Sequence, residues 1–291
     1  MSLGRGNGRS VRADWFYWAC RLVVVGWLVI VAIPVVYVIG VSLSSNLGTN
    51  IAYVLPARPT FANYIDVWRF FNSSIGVSLI QIIINNVIYT VASVIGVLAI
   101  AATASFAFAT MSFRGRRPLL ALLLIPLIMP ISTLLIPEFV NLKYLNMLGG
   151  YQSLILPEIA FNMALPVLIL TVFFRDLPPE VLDRARLDGC GNFALFRHIV
   201  MPMSIPALST CVILVFLAVW NELPMALVTL QSNSLWNIPL ALSTIEGGRA
   251  EQVPWQMIAA AIVIGSVPIT AVFLLLQKRL VAGLAEGAVK G

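Results

Sequence analysis

The chain has 291 residues, of which 60% are hydrophobic and only 10% are charged. A soluble domain carries about 25% charged residues, so this chain lacks the polar side chains needed to cover a water-facing surface. Its net charge of +6 at pH 7 fits the basic residues that collect in the cytoplasmic loops of membrane proteins better than it fits a nucleic-acid surface. The composition therefore indicates an all-α membrane protein with several spans.

Six segments are long and apolar enough to cross a bilayer, which takes about 20 mostly apolar residues per helix. They are residues 22–43, 86–110, 119–140, 154–174, 205–230 and 255–280. The apolar stretch around the second of them, 75–109, is longer than one span requires. We interpret its first part, which ends at Asn85 and Asn86, as an amphipathic segment at the membrane interface.

The basic residues are distributed unevenly over the two sides that six spans define. On the side of the N-terminus lie Arg5, Arg9, Arg12, Arg21, Arg114, Arg116, Arg117, Arg175, Arg184, Arg186, Arg197, Lys278, Arg279 and Lys290. On the other side lie Arg58, Arg69, Lys143 and Arg249. Lys and Arg are enriched in cytoplasmic loops. The sequence thus predicts a cytoplasmic segment 1–21, a six-span domain 22–281 and a cytoplasmic tail 282–291.

The sequence offers little material for catalysis or metal binding. Its three cysteines, Cys20, Cys190 and Cys211, form no CxxC pair, and His198 is the only histidine. Neither a disulfide framework nor a zinc site is expected from this pattern. A phosphate-binding G-x-x-x-x-G-K-[ST] motif is also absent. We therefore expect no enzyme activity, no metal and no cofactor bound by this chain.

A few polar side chains fall within the predicted spans. Glu158 and Asn162 lie in the fourth span, and Asn221 and Glu222 lie in the fifth. Ionisable residues at membrane depth commonly mark a transport pathway. The alternative for Glu222 is that it packs against a neighbouring helix or lies in an outer vestibule.

The predicted cytoplasmic segment between the fourth and fifth spans, 176–203, carries the most information. Asp176 is in position to cap a helix whose first turn contains two prolines, a favoured place for proline. This helix should run to about Asp188. Gly189 and Gly191 can then take the left-handed conformation that ends helices.

A second short helix is predicted directly after these glycines. Asn192 would cap it, Phe193, Phe196 and Val200 would share one face at helical spacing, and Pro202 would end it. Large apolar side chains beside several arginines are typical of interface centres, which indicates a docking element. The alternatives are an amphipathic helix pair on the lipid surface and a solvated charged face.

Residues 183–190, Asp-Arg-Ala-Arg-Leu-Asp-Gly-Cys, resemble the EAA loop of ABC importer permeases, whose pattern is E-A-A-x-x-D-G-A followed by I-x-L-P. The matching positions are Ala185, Asp188, Gly189, Ile199 and Pro202. The departures from the pattern are Asp183, Arg184, Cys190 and Met201. Segments 113–116, 220–222 and 283–291 are similar to the carbohydrate-uptake branch of that family, which includes the second permeases of the maltose and glycerol-phosphate importers.

The resemblance implies a type I importer permease in the inner membrane of a prokaryote. The chain would pair with a homologous second permease and with two cytoplasmic ATP-binding subunits, which would use ATP and Mg. An extracytoplasmic solute-binding protein would deliver a sugar or sugar derivative to the outer loops 44–74 and 231–254.

The same resemblance implies roles for two sets of residues. The loop that couples to the ATPase would use Glu180, Asp183, Ala185, Asp188, Gly189, Phe193, Phe196, Ile199 and Pro202. The substrate pathway would be lined by Asn162, Trp220, Asn221 and Glu222, with Trp220 as an aromatic surface for the sugar.

A secondary transporter driven by an ion gradient is the main alternative. Such folds often contain internal repeats and acidic relays within the membrane. The first three spans show no clear similarity to the last three, and only one acidic residue is deeply placed. A membrane-embedded enzyme is disfavoured because no catalytic set can be assembled.

Overall fold

The computed structural model describes residues 8–45, 56, 58–246 and 253–288. Within these ranges the chain is almost entirely helical, and a single bridge between Ser44 and Pro59 is their only β pairing. The predicted all-α class is confirmed. The chain divides into two compact units, Met1–Val67 with Glu251–Ile264 and Trp68–Ala250 with Gly265–Gly291.

The helices follow one another with short connections. The first seven are α1 (Gly8–Ser42), α2 (Ala62–Phe70), α3 (Leu79–Thr110), α4 (Arg116–Leu124), α5 (Ile131–Tyr144), α6 (Gln152–Asn162) and α7 (Ala164–Arg175). The next seven are α8 (Pro179–Leu187), α9 (Asn192–Leu195), α10 (Met201–Met203), α11 (Ile205–Trp220), α12 (Pro224–Thr229), α13 (Ile238–Glu246) and α14 (Trp255–Ala288). Two π-helical turns (Phe71–Ile75 and Phe196–Val200) and two 3₁₀ turns (Ile125–Leu127 and Asn233–Leu235) complete the described helical structure.

Three helical segments are by themselves long and apolar enough to cross a membrane: Trp15–Ser42, Leu79–Thr110 and Trp255–Leu275. Three further pairs pass the same test together but bend between their halves. They are Arg116–Leu127 with Ile131–Tyr144 (103°), Gln152–Asn162 with Ala164–Arg175 (43°), and Asn192–Met203 with Ile205–Trp220 (77°). The described residues therefore provide six spans if each bent pair crosses once.

Two of the predicted span boundaries are wrong. The second span is one continuous helix, α3, whose start is capped by Ser78: its hydroxyl accepts a hydrogen bond from the Gln81 N–H at 3.1 Å. Asn85 and Asn86 lie inside this helix, so the predicted start of the second span at residue 86 does not coincide with a helix end. The predicted fifth span 205–230 is interrupted after Trp220, where α11 ends and a short turn leads into α12.

The third predicted span, 119–140, is also broken, and prolines lie at the break. Pro126 is in the 3₁₀ turn that follows α4, and Pro130 immediately precedes α5. Proline lacks a backbone donor and interrupts the helical hydrogen-bond ladder. The 103° bend between the two halves follows from this interruption.

In the first unit, α1 exposes apolar side chains on all sides, and none of its most apolar window is buried. Such a surface is stable only against lipid or another apolar helix. The C-terminal end of α1 is held to α2 by polar contacts. The Ser42 and Tyr64 hydroxyls lie 2.8 Å apart, and the Asn63 Nδ2 donates to the carbonyls of Ser42 and Ser44 at 2.8 and 2.9 Å.

In the second unit, α3 is the central helix and packs against α6, α7 and α11. Small residues permit this close approach, as they do in other membrane helix pairs. Ile159 of α6 lies directly over Gly96, where a Cβ atom would be 2.9 Å from the Ile159 Cγ1. The Ser105 hydroxyl donates to the Val167 carbonyl of α7 at 3.0 Å.

One apolar cluster joins α3 and α7 to the segment between α7 and α11. Its buried members include Phe106, Phe174, Leu182, Leu195 and Val200. Because Leu182 belongs to α8 and Leu195 to α9, the two short helices are fixed to the spans by core packing. A displacement of this segment would therefore be transmitted to α3 and α7.

Candidate functional site

The first helix of the segment 176–203 is α8, and its start differs from the prediction. Pro178 occupies the N-cap position, and no side chain caps this end. Asp176 instead ends α7, where its N–H donates to the Val172 carbonyl at 3.2 Å. Glu180 does lie in the first turn of α8, where the helix dipole favours a negative charge.

The end of α8 is built on a glycine in the left-handed conformation. Gly189 has φ +88°. Its N–H donates to the Arg186 carbonyl at 3.1 Å, and the Cys190 N–H donates to the Ala185 carbonyl at 3.0 Å. This pair of bonds is the Schellman arrangement that satisfies carbonyls at a helix end. The prediction is confirmed for Gly189 and is wrong for Gly191, whose φ is −68°.

The second helix is more irregular than the sequence suggests. It starts at Asn192 with Gly191 at the N-cap position, so Asn192 is not the capping residue. After four residues it widens into the π-helical turn Phe196–Val200 and then continues through Pro202 to Met203. Ser204 marks the break before α11.

The predicted apolar face of this helix is divided between two environments. Val200 and Leu195 are fully buried, and the Phe196 ring packs on Phe106 with centroids 5.2 Å apart. Phe193, in contrast, is 74% exposed, as is Leu187 of α8 at 88%. Phe196 therefore belongs to the core of this chain, and Phe193 and Leu187 remain available to a partner.

The two helices enclose an open groove of about 440 Å³. Its lining residues are Glu180, Val181, Arg184, Ala185, Asp188 and Ile199. Four of these were predicted as coupling residues. Another of the predicted residues, Asp183, forms an exposed ion pair with Arg186 at 3.0 Å, which contributes only about 0–1 kcal/mol to stability.

The polar residues predicted for the substrate pathway lie at the ends of helices. The Asn162 Nδ2 donates to the Glu158 carboxylate at 2.8 Å, and Glu158 is buried. The Asn221 side chain is exposed, and its Nδ2 donates to the Leu217 carbonyl at 2.8 Å. The Glu222 carboxylate accepts a hydrogen bond from the Met225 N–H at 2.7 Å. Among the described residues, no group of three or more His, Cys, Asp or Glu side chains could hold a metal ion.

Trp220 does not have the exposed face that a sugar platform requires. It is buried, and its ring stacks on Phe216 with centroids 5.3 Å apart. Its indole N–H donates to the Gly265 carbonyl at 3.2 Å. In this conformation Trp220 joins α11 to Gly265, where the part of α14 that belongs to the second unit begins.

One polar cluster was not predicted as a site. Asn85, Asn86 and Tyr89 are buried on α3 and bind the segment that follows α12. The signal in the sequence was the pair of adjacent asparagines in an otherwise apolar run. Their partners lie about 150 positions away along the chain, so the sequence could not identify them.

We expect Glu222→Ala to lower transport. The variant loses the acceptor for the Met225 N–H, which removes about 1 kcal/mol of stability from the start of α12. Glu222→Gln should retain most activity, since an amide oxygen can accept the same bond. Uptake by the two variants, compared at equal membrane levels, checks this. Equal losses in both would show that the charge matters and that the cap does not.

The six candidate spans, three of them bent, and the helix pair with its groove define a polytopic helical membrane protein. Comparison with known proteins adds the family. Residues 99–286 match the family "Binding-protein-dependent transport system inner membrane component", and the chain belongs to this family. It is therefore a multi-pass inner membrane protein.

Named relatives and solved structures cover most of the chain. The trehalose transport system permease protein SugB of Mycobacterium tuberculosis is 32% identical over 94% of this chain and 97% of its own length. The arabinooligosaccharides transport system permease protein AraQ of Halalkalibacterium halodurans is 30% identical over 81% of each. The crystal structure of a bacterial ABC transporter involved in the import of alginate contains a chain with a TM-score of 0.77 at 21% identity, covering 94% of this chain and 99% of that one. This last likeness shows the fold.

Proposed function

We propose that the chain is a permease subunit of an ATP-driven, binding-protein-dependent importer of a sugar or sugar derivative, and that it forms half of the translocation pathway. The structure of the segment 176–203 supports the proposed coupling to the ATP-binding subunits. Its inner residues are packed into the core of the spans, whereas Leu187 and Phe193 project outward beside an open groove. An element with one face fixed and one face free is suited to receive a partner's movement.

The sugar substrate is supported by the names of the relatives. Besides the trehalose and arabinooligosaccharide permeases, a diacetylchitobiose uptake permease of Streptomyces coelicolor is 29% identical over 90% of this chain. These substrates share many hydroxyl groups and carry no net charge. The exposed Asn221 and the half-buried Asn162 and Glu222 are the predicted pathway residues that remain accessible to hydroxyl groups, whereas Trp220 is buried.

The proposed partners are a homologous second permease, two cytoplasmic ATP-binding subunits and an extracytoplasmic solute-binding protein. One similar fold was solved in an alginate transporter complexed with an alginate-bound periplasmic protein, at a TM-score of 0.66 and 12% identity. ATP and Mg would be bound by the ATP-binding subunits, and this chain would bind no cofactor. The distribution of Lys and Arg supports a cytoplasmic location for both termini.

The decisive experiment measures uptake in vesicles that contain the complete assembly. Radiolabelled trehalose, an arabinose oligosaccharide and diacetylchitobiose are offered with the solute-binding protein, and ATP is either enclosed or omitted. For at least one of these sugars, we expect uptake that requires enclosed ATP and that continues when an ionophore is added. Uptake that an ionophore abolishes, or uptake by vesicles holding this chain alone, would identify a secondary transporter instead.

A further inference from the structure

Residues 230–238, here called the outer segment, connect α12 to α13. Gln231, Ser232, Asn233 and Ser234 at its tip are exposed. Apart from Ile238, the first residue of α13, its only regular structure is the single 3₁₀ turn Asn233–Leu235. Its position is nevertheless fixed by buried side chains of α3.

Asn85 makes four hydrogen bonds and is completely buried. Its Nδ2 donates to the carbonyls of Ser234 and Trp236 at 2.8 and 3.0 Å. Its Oδ1 accepts from the Gln81 Nε2 at 2.9 Å and from the Tyr151 hydroxyl at 2.7 Å. The amide therefore has every donor and acceptor satisfied, and it joins α3, the start of α6 and the outer segment.

Two further side chains of α3 bind the same segment. The Asn86 Oδ1 accepts from the Ile238 N–H at 3.1 Å, and its Nδ2 donates to the Trp220 carbonyl at 3.4 Å. The Tyr89 hydroxyl donates to the Leu235 carbonyl at 2.8 Å. These contacts hold the outer segment and the last residue of α11 to a single helix. A buried polar group that loses such a partner is left unsatisfied, which strongly destabilises the folded chain.

We propose that Asn85, Asn86 and Tyr89 are positioning residues that fix the outer segment to α3, so that α3 and the end of α11 move as one body during transport. The inference rests on the proposed function for its transport readout only. The contacts themselves predict local protection of the outer segment in any assembly that contains the chain.

Hydrogen–deuterium exchange of the complete assembly tests the contacts. In Asn86→Leu and Asn85→Leu, amides of residues 236–240 should exchange about tenfold faster or more, the effect of losing at least one bond to a buried group. Gln81→Leu is the matched control, because it removes a bond to Asn85 and none to the outer segment. Tyr89→Phe is a milder variant that removes one hydroxyl and keeps the ring. Unchanged exchange in Asn85→Leu, Asn86→Leu and Tyr89→Phe alike would overturn the proposal.

Uptake at equal membrane levels tests the shared movement. Asn85→Leu and Asn86→Leu remove bonds to the outer segment and should lose most ATP-driven uptake, whereas Gln81→Leu keeps those bonds and should retain it. Normal uptake by both asparagine variants, or an equal loss in Gln81→Leu, would overturn the proposal. If ATP-driven uptake by the unmodified assembly fails, the proposed function is contradicted. The exchange comparison does not depend on uptake and still tests the contacts of Asn85, Asn86 and Tyr89.

Discussion

Gly189→Asp is expected to separate ATP hydrolysis from uptake while the chain still inserts into the membrane. Gly189 has φ +88°, a conformation that costs residues with a Cβ atom about 1–2 kcal/mol, with Asp at the lower end because its short side chain can hydrogen-bond locally. The new carboxylate would also lie at the C-terminal end of α8 beside Asp188, where the helix dipole disfavours negative charge. Together these effects should shift the population of the docking conformation roughly five- to thirtyfold.

Gly191→Asp is the matched control for this substitution. Gly191 has φ −68°, and nothing lies within 4 Å of a Cβ atom at either glycine, so the same charge is introduced without backbone strain. Gly189→Ala introduces the strain without the charge. Uptake and ATP hydrolysis are measured on the same vesicles, with immunoblots for membrane level. Normal uptake by Gly189→Asp would remove this glycine from the coupling mechanism.

Hydropathy predicted which segments are long and apolar enough to cross the membrane, because each span must contain a long apolar run whatever its packing. It did not predict where the spans bend. The segment 119–140 is mostly apolar, yet it breaks at Pro126 and Pro130 with a 103° change of direction. The prolines were visible in the sequence, but a proline in a membrane helix is compatible with either a kink or a break.

The site residues were also predicted only in part. Helical spacing grouped Phe193, Phe196 and Val200, but spacing alone does not reveal which side chains face this chain's own core. The structure assigns Phe196 and Val200 to that core through Phe106 and its neighbours. The conformation of Gly189 was predictable because helices commonly end at a glycine with positive φ, which has no Cβ atom to strain the backbone. The contacts of Asn85 were not, because they depend on a segment distant in the chain.

Phe193→Ala is expected to weaken association with the ATP-binding subunit about tenfold to a hundredfold, because burying a phenylalanine side chain contributes roughly 1.5–3 kcal/mol. Phe193 is 74% exposed, so its removal leaves no cavity in this chain. Leu187→Ala should act in the same direction. The ATP-binding subunit retained by the purified membrane complex after dilution measures the effect.

Two other phenylalanines separate docking from folding in this experiment. Phe61 is 72% exposed, but the charge distribution predicts that it lies on the opposite side of the membrane, so Phe61→Ala should leave association with the ATP-binding subunit unchanged. Phe196 packs on Phe106, so Phe196→Ala should lower the amount of folded chain. If Phe193→Ala retained the ATP-binding subunit as well as Phe61→Ala does, the exposed face of the segment 176–203 would not be the docking surface. The coupling contact would then lie in the groove between Glu180 and Ile199.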